Sequence, residues 1–132
     1  MKKAVLDTSV LIRHWLNRRG RMRGEVTVAV VKRWARELIE LERSDAIVTP
    51  VYVEMIAGVS DKRDLLLTKA FLNEFRCIDA GLIPEQDWRE TVRLAQRVPH
   101  DSKPRQLGDC LVRAIANRLK YNVTTFDTGF AR

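Results

Sequence analysis

A chain of 132 residues, 45% hydrophobic and 31% charged, is long enough to bury one core without disulfides or structural metal, and its composition is globular, which excludes a disordered tract. No apolar run approaches the ~18 residues of a membrane helix, and the opening MKKAVLDTSVLIRH interrupts its apolar stretch with Asp7 and lacks a small-residue cleavage site, so it reads as a first strand, not a signal peptide. Lys and Arg outnumber Asp and Glu by 24 to 17, a net charge of +7 that favours polyanions without choosing between nucleic acid, an acidic protein and plain solubility.

Ala4–Leu6 is a short apolar run that reads as a strand ending at Asp7. Val10, Leu11 and Trp15 predict a helix directly after it, with Thr8 or Ser9 as its cap. Residues 17–24, NRRGRMRG, read as a basic loop in which Arg18, Arg19, Arg21 and Arg23 either contact phosphate or are simply solvated. Val31, Ala35, Leu38, Ile39 and Leu41 predict an amphipathic helix over 28–43. A second strand over 46–49 stops at Pro50, which restarts the chain as a helix that includes 51–56 and ends near Gly58. Leu65, Leu66, Ala70, Phe71, Leu72 and Phe75 mark a further helix, and 76–78 a weak third strand. Pro84 opens a helix on which Trp88, Val92 and Ala95 share one face. A polar loop over 98–105 contains Pro99 and Pro104. Leu107, Leu111, Ile115 and Leu119 then recur at every fourth position and predict a long helix from Gly108 onward, followed by a fourth strand over 122–125. Trp15, Trp34 and Trp88 fall on apolar helical faces and read as core or interface.

Strands separated by helices predict a single α/β domain over 1–132 with a parallel sheet and right-handed crossovers. In such sheets sites form in the crevice beyond the carboxyl ends of the strands. Four acids occupy that address: Asp7 and Asp127 just past the first and fourth strands, Glu54 in the first turns after the second, and Asp109 at the start of the last helix. Each has a bland reading alone, Asp109 as a helix cap and Asp7 and Asp127 as turn residues. Together they predict one pocket of carboxylates, whose mutual repulsion calls for a cation. An oxygen-only donor set selects a hard ion such as Mg²⁺, and an ion of this kind beside a phosphodiester activates water and stabilises the leaving oxygen.

Competing chemistries lack their signatures. There is no GxSxG, P-loop, HExxH or dinucleotide fingerprint. Cys77 and Cys110 read as small apolar residues of a reducing cytoplasm, and His14 and His100 show no zinc-ligand spacing with them. His100 remains a candidate base that metal-assisted hydrolysis does not require. Asp61, Asp64, Asp79 and Asp101 read as surface or capping residues. Lys103 and Arg105, just ahead of Asp109, are candidate substrate contacts.

The stretches VLDTSVLI at 5–12, TPVYVEMIAGV at 49–59, LGDCLVRAIA at 107–116 and VTTFDTGF at 123–130, in this order and spacing, resemble those of the PIN-domain ribonucleases, most closely the VapC toxins of toxin–antitoxin modules. The resemblance runs nearly end to end. It implies a three-layer α/β/α sandwich on a central parallel sheet and a Mg²⁺- or Mn²⁺-dependent endoribonuclease. It also implies direct metal binding by Asp7 and Asp109, and water-mediated or second-metal roles for Glu54 and Asp127. Ser9 and Thr125 match its supporting hydroxyls. A small antitoxin in the active-site groove, received by exposed apolar residues of the early helices, and homodimerisation are further family expectations. Two features depart from the pattern. Gly129 stands where a further acid is common, which weakens a second metal position, and the segment over 18–30 is longer and more basic than expected. A haloacid-dehalogenase-like phosphatase would need an Asp where Ser9 stands. The remaining alternative is a catalytically silent PIN-like RNA-binding or scaffold protein.

Overall fold

A computed structural model describes residues 1–97 and 106–126. The elements alternate along the chain: β1 (Ala4–Leu6), α1 (Thr8–Arg21), α2 (Val28–Glu42), β2 (Ala46–Ile47), α3 (Thr49–Ala57), α4 (Lys62–Leu72), β3 (Arg76–Cys77), α5 (Glu85–Ala95), α6 (Leu107–Leu119) and β4 (Asn122–Thr124). The four strands form one all-parallel sheet in the order β3-β2-β1-β4. Helices on its two faces give a three-layer α/β/α sandwich, as expected.

Strand position explains strand composition. β1 lies between β2 and β4, and Ala4, Val5 and Leu6 are all buried, whereas β4 at the edge carries exposed Asn122. The chain steps from β1 to β2 to β3 in one direction, and β4 then joins on the other side of β1. That reversal makes the β1/β4 crevice the switch point of the sheet, the place where such folds hold ligands. β1 ends there at Asp7, whose N–H donates to the Thr124 carbonyl at 2.9 Å.

The main core lies under α1, α2 and α4. Trp15 sits edge-on to both Trp34 (5.4 Å between centroids) and Phe71 (5.1 Å), the geometry that ring quadrupoles favour. A second, smaller core of Leu94, Cys110 and Ala114 joins α5 to α6.

Several expectations change. The arginine segment is largely helix: α1 continues to Arg21, with Arg18, Arg19 and Arg21 in its last turn. Arginine is a good helix former, and cations suit a helix C-terminus. Arg18 pairs with Glu37 of α2 and Arg19 with Asp64 of α4, so the two bind α1 to its neighbours. Neither Thr8 nor Ser9 caps α1. Asp7 occupies the N-cap position and makes no side-chain cap bond, because all three side chains are engaged elsewhere. Thr49 already belongs to α3, so β2 is shorter than expected. Leu41 is exposed.

The largest inversion is in α5. Trp88 and Val92 do share a face, but it is the exposed one, and Asp87, Thr91 and Leu94 point inward. Asp87 is 1% exposed, and its two carboxylate oxygens accept from Arg118 Nε of α6 at 2.9 and 3.0 Å. A buried carboxylate needs such a partner, and the pair sets the rotation of α5. Arg118→Ala strands that charge, and urea unfolding should show a loss of about 3 kcal/mol. Arg89→Ala, which removes an exposed pair with Glu85, should cost less than about 1 kcal/mol.

Candidate metal centre

The site grows from the end of β1. Asp7 is 6% exposed, held at the sheet edge by its own backbone bond to β4. Its Oδ2 accepts from Thr125 Oγ1 at 2.8 Å and from Ser9 Oγ at 3.2 Å. Ser9 and Thr125 also touch each other at 3.2 Å, and the Phe126 N–H donates to Ser9 Oγ at 3.0 Å. These bonds lock the carboxylate between the β1–α1 and β4 turns. Asp7 forms no ion pair among the described residues.

Asp109 arrives from α6. The helix runs opposite to the strands, so its first turn lies at their carboxyl edge; Gln106 holds the cap position and Asp109 sits inside that turn. Asp7 and Asp109 line one small cleft with Val112, Arg113, Val123 and Thr125. The open space, about 10 Å³, is on the scale of one water molecule or a bare ion, not an organic ligand.

Glu54 stands beside this cleft. Thr8 Oγ1 donates to its Oε1 at 3.2 Å. Across from it, a Cβ added at Gly108 would fall 2.9 Å from Oε1, so glycine there is a condition of the close approach between α3 and the start of α6. Glu54 is exposed as a whole residue, and its carboxyl group lies between Thr8 and Gly108. Burial there raises its pKa above the ordinary glutamate range; the Thr8 hydroxyl opposes the shift and the negative charge of Asp7 adds to it.

The expected residues divide accordingly. Asp7, Asp109, Ser9 and Thr125 come together at the switch crevice, and Glu54 borders it. Asp127, Lys103, Arg105 and His100 lie outside the described residues, as does Arg105's neighbourhood around 98–105. Asp79 is a buried anchor: it accepts from the N–H and hydroxyl of Thr49 and so holds the start of α3. Asp61 caps α4 by accepting from the Asp64 N–H. Sequence reasoning missed Gly108, the Thr8 bond, and Arg113 in the cleft. Only Arg113 left a signal, standing one turn after Asp109 on the same helix.

A hard divalent cation fits these donors. They are oxygens only, and Asp7 is a buried carboxylate that hydroxyls alone do not neutralise. Among the described residues no group of three His, Cys, Asp or Glu side chains is placed to hold a metal. Mg²⁺ takes few protein carboxylates and keeps several waters, so the Asp7–Asp109 pair meets its needs.

A PIN-domain family profile matches residues 4–132, and the chain belongs to the PIN-domain family. Comparison with curated proteins gave no significant match. PIN domains are typically nucleases and generally use divalent metal ions. No helix among the described residues is long and apolar enough to cross a membrane.

Two outcomes test the geometry. A raised carboxyl pKa means that the folded protein resists the charged form; its cost is absent below the unfolded glutamate value and complete above the folded one. In metal-free protein, Glu54→Gln should therefore raise the melting temperature at pH 7, with the gain fading as pH falls through the ordinary glutamate range. Added divalent metal should narrow or reverse the difference. Gly108→Ala pushes only the flexible end of Glu54 and improves helix propensity; melting should not fall, while calorimetry should show metal affinity reduced several-fold.

Proposed function

We propose that this protein is a Mg²⁺- or Mn²⁺-dependent endoribonuclease, the toxin of a toxin–antitoxin pair. The observation that carries the reading is a buried Asp7 carboxylate that makes no ion pair among the described residues and shares an ion-sized cleft with Asp109 at the switch point of a parallel sheet.

Asp7 and Asp109 would hold the cation directly, and Asp127 and Glu54 through water or at a second position. Bound there, a hard divalent cation would supply Lewis acidity toward the scissile phosphodiester and make water at the site more acidic. Ser9 and Thr125 fix the direction of the Asp7 carboxylate, so the site spends little free energy on reorganisation. Glu54, whose carboxyl already holds a proton more readily than usual, suits the orientation of the attacking water and the acceptance of its proton. Lys103, Arg105, Arg21 and Arg23 contact the RNA backbone. Arg18 and Arg19, already engaged with Glu37 and Asp64, are weaker candidates for that role.

The antitoxin reading draws on a groove that begins at Glu54. Ile12, Trp15, Leu16, Met55, Val59 and Arg19 line it, and Ile12 and Leu16 are 41% and 61% exposed. A short amphipathic segment laid there would reach the acids from one side. A homodimer and a cytoplasmic location complete the reading.

The silent RNA-binding alternative has one observation in its favour, that no three metal-ligating side chains gather among the described residues. Purified protein incubated with RNA separates the two. The nuclease cleaves with Mg²⁺ or Mn²⁺ and stops with chelator, and Asp109→Asn should lose at least about a hundredfold in rate, the weight of a few kcal/mol of lost transition-state stabilisation, with its circular dichroism and melting unchanged. RNA bound but never consumed under any metal points to the scaffold.

A further inference from the structure

Just outside the acid cleft, the Arg13 guanidinium carbon lies 4.7 Å from the centroid of the Phe126 ring. Neither residue serves the core. Phe126 is 46% exposed and belongs to neither hydrophobic cluster, and Arg13 is exposed and makes no ion pair among the described residues. Both are nevertheless fixed to the site. Arg13 stands one turn after Ser9 on α1, the spacing that puts two side chains on one helix face. Phe126 follows Thr125 directly, and its N–H is bound by the same Ser9 hydroxyl that touches Asp7. One hydroxyl thus links the aromatic ring, the guanidinium's helix and the buried carboxylate. A large apolar ring held in water beside a catalytic cleft, with a planar cation over it, offers flat surfaces of the kind that unpaired nucleobases stack on.

We infer that Arg13 and Phe126 form a stacking platform for one unpaired base next to the phosphate that is cut. The inference rests on the nuclease reading and deepens it: the substrate is RNA with a splayed, single-stranded nucleotide at the cleavage point, and the platform is tolerant of base identity because every base presents a π-face. A base within a continuous duplex has no free face to offer, so duplex RNA is excluded.

The test uses the full chain with Asp109→Asn as parent, so that RNA is bound but not consumed. Affinity is measured for a short single-stranded RNA, for the same RNA with abasic residues, and for its duplex. Phe126→Leu should weaken binding of the intact single strand on the order of tenfold, the weight of one stacked base, while Phe126→Trp should retain it. Arg13→Ala should weaken it too, and melting curves should match the parent because both side chains are exposed. Abasic RNA should bind the parent more weakly, and Phe126→Leu should add no further loss with it. The inference is overturned if Phe126→Leu binds intact single-stranded RNA as the parent does, or if the abasic penalty is the same in both proteins. An unaffected RNA affinity together with lost self-association would assign the patch to a protein contact instead. If the wild-type chain cleaves RNA and Phe126→Leu cleaves it equally well, the platform fails and the nuclease stands; if the wild type neither binds nor cleaves RNA, both fall.

Discussion

A buried carboxylate that makes no ion pair among the described residues is the constraint around which this molecule is arranged. Asp7 is the residue with which the central strand must end, because β1 is buried along its whole length and its last carbonyls and amides are committed to β2 and β4. The side chain is delivered to the switch point of the sheet, where the Ser9 and Thr125 hydroxyls donate to it. Two hydroxyls cannot replace the hydration of an ionised carboxylate. A cation suits that position, and the carboxylates of Asp109 in the same cleft and Glu54 at its border add to the negative charge there, with Arg113 the cationic side chain that the cleft already holds.

The parallel fold places these groups without long-range coincidence. Helices run back against the strands, so the residues after β1 and β2 and those opening α6 all fall at the same edge. Fine positioning comes from small side chains. Gly108 lets the Glu54 carboxylate approach the first turn of α6, and the Thr8 hydroxyl steadies it from α1. From Glu54 a partly apolar groove leads away between α1, α3 and α4, while Phe126 and Arg13 lie beside Asp7 and its hydroxyls. The acid cleft thus has two differently surfaced approaches, one partly apolar and one carrying an exposed aromatic ring under a guanidinium.

Most of the fold was legible in the letters because it depends on local periodicity. The four-residue recurrence from Leu107 to Leu119, the helix restart at Pro50 and the apolar run that ends at Asp7 produced the elements they implied, though β2 ends at Ile47, before the proline. The failures have a common origin in contacts distant in sequence. α5 reads as though Trp88 and Val92 faced inward, yet a single ion pair between Asp87 and Arg118 rotates the helix the other way. The arginines after Asn17 look like a loop until Glu37 and Asp64 are brought beside them. Ser9 and Thr125 entered through the family resemblance, whereas Asp7 and Asp109 could be grouped from the strand and helix ends that share one sheet edge. Gly108 could not, since nothing in a Gly-Asp pair tells that a glutamate from another helix presses against it.

The most direct measurement is the anomalous difference map of crystals soaked in Mn²⁺. A peak is expected in the cleft within coordinating distance, about 2.0–2.3 Å for a hard divalent ion on oxygen, of carboxylate oxygens from both Asp7 and Asp109. A fully occupied ion elsewhere on the surface, with that cleft filled only by water, would contradict the assignment of the buried carboxylate as a metal ligand.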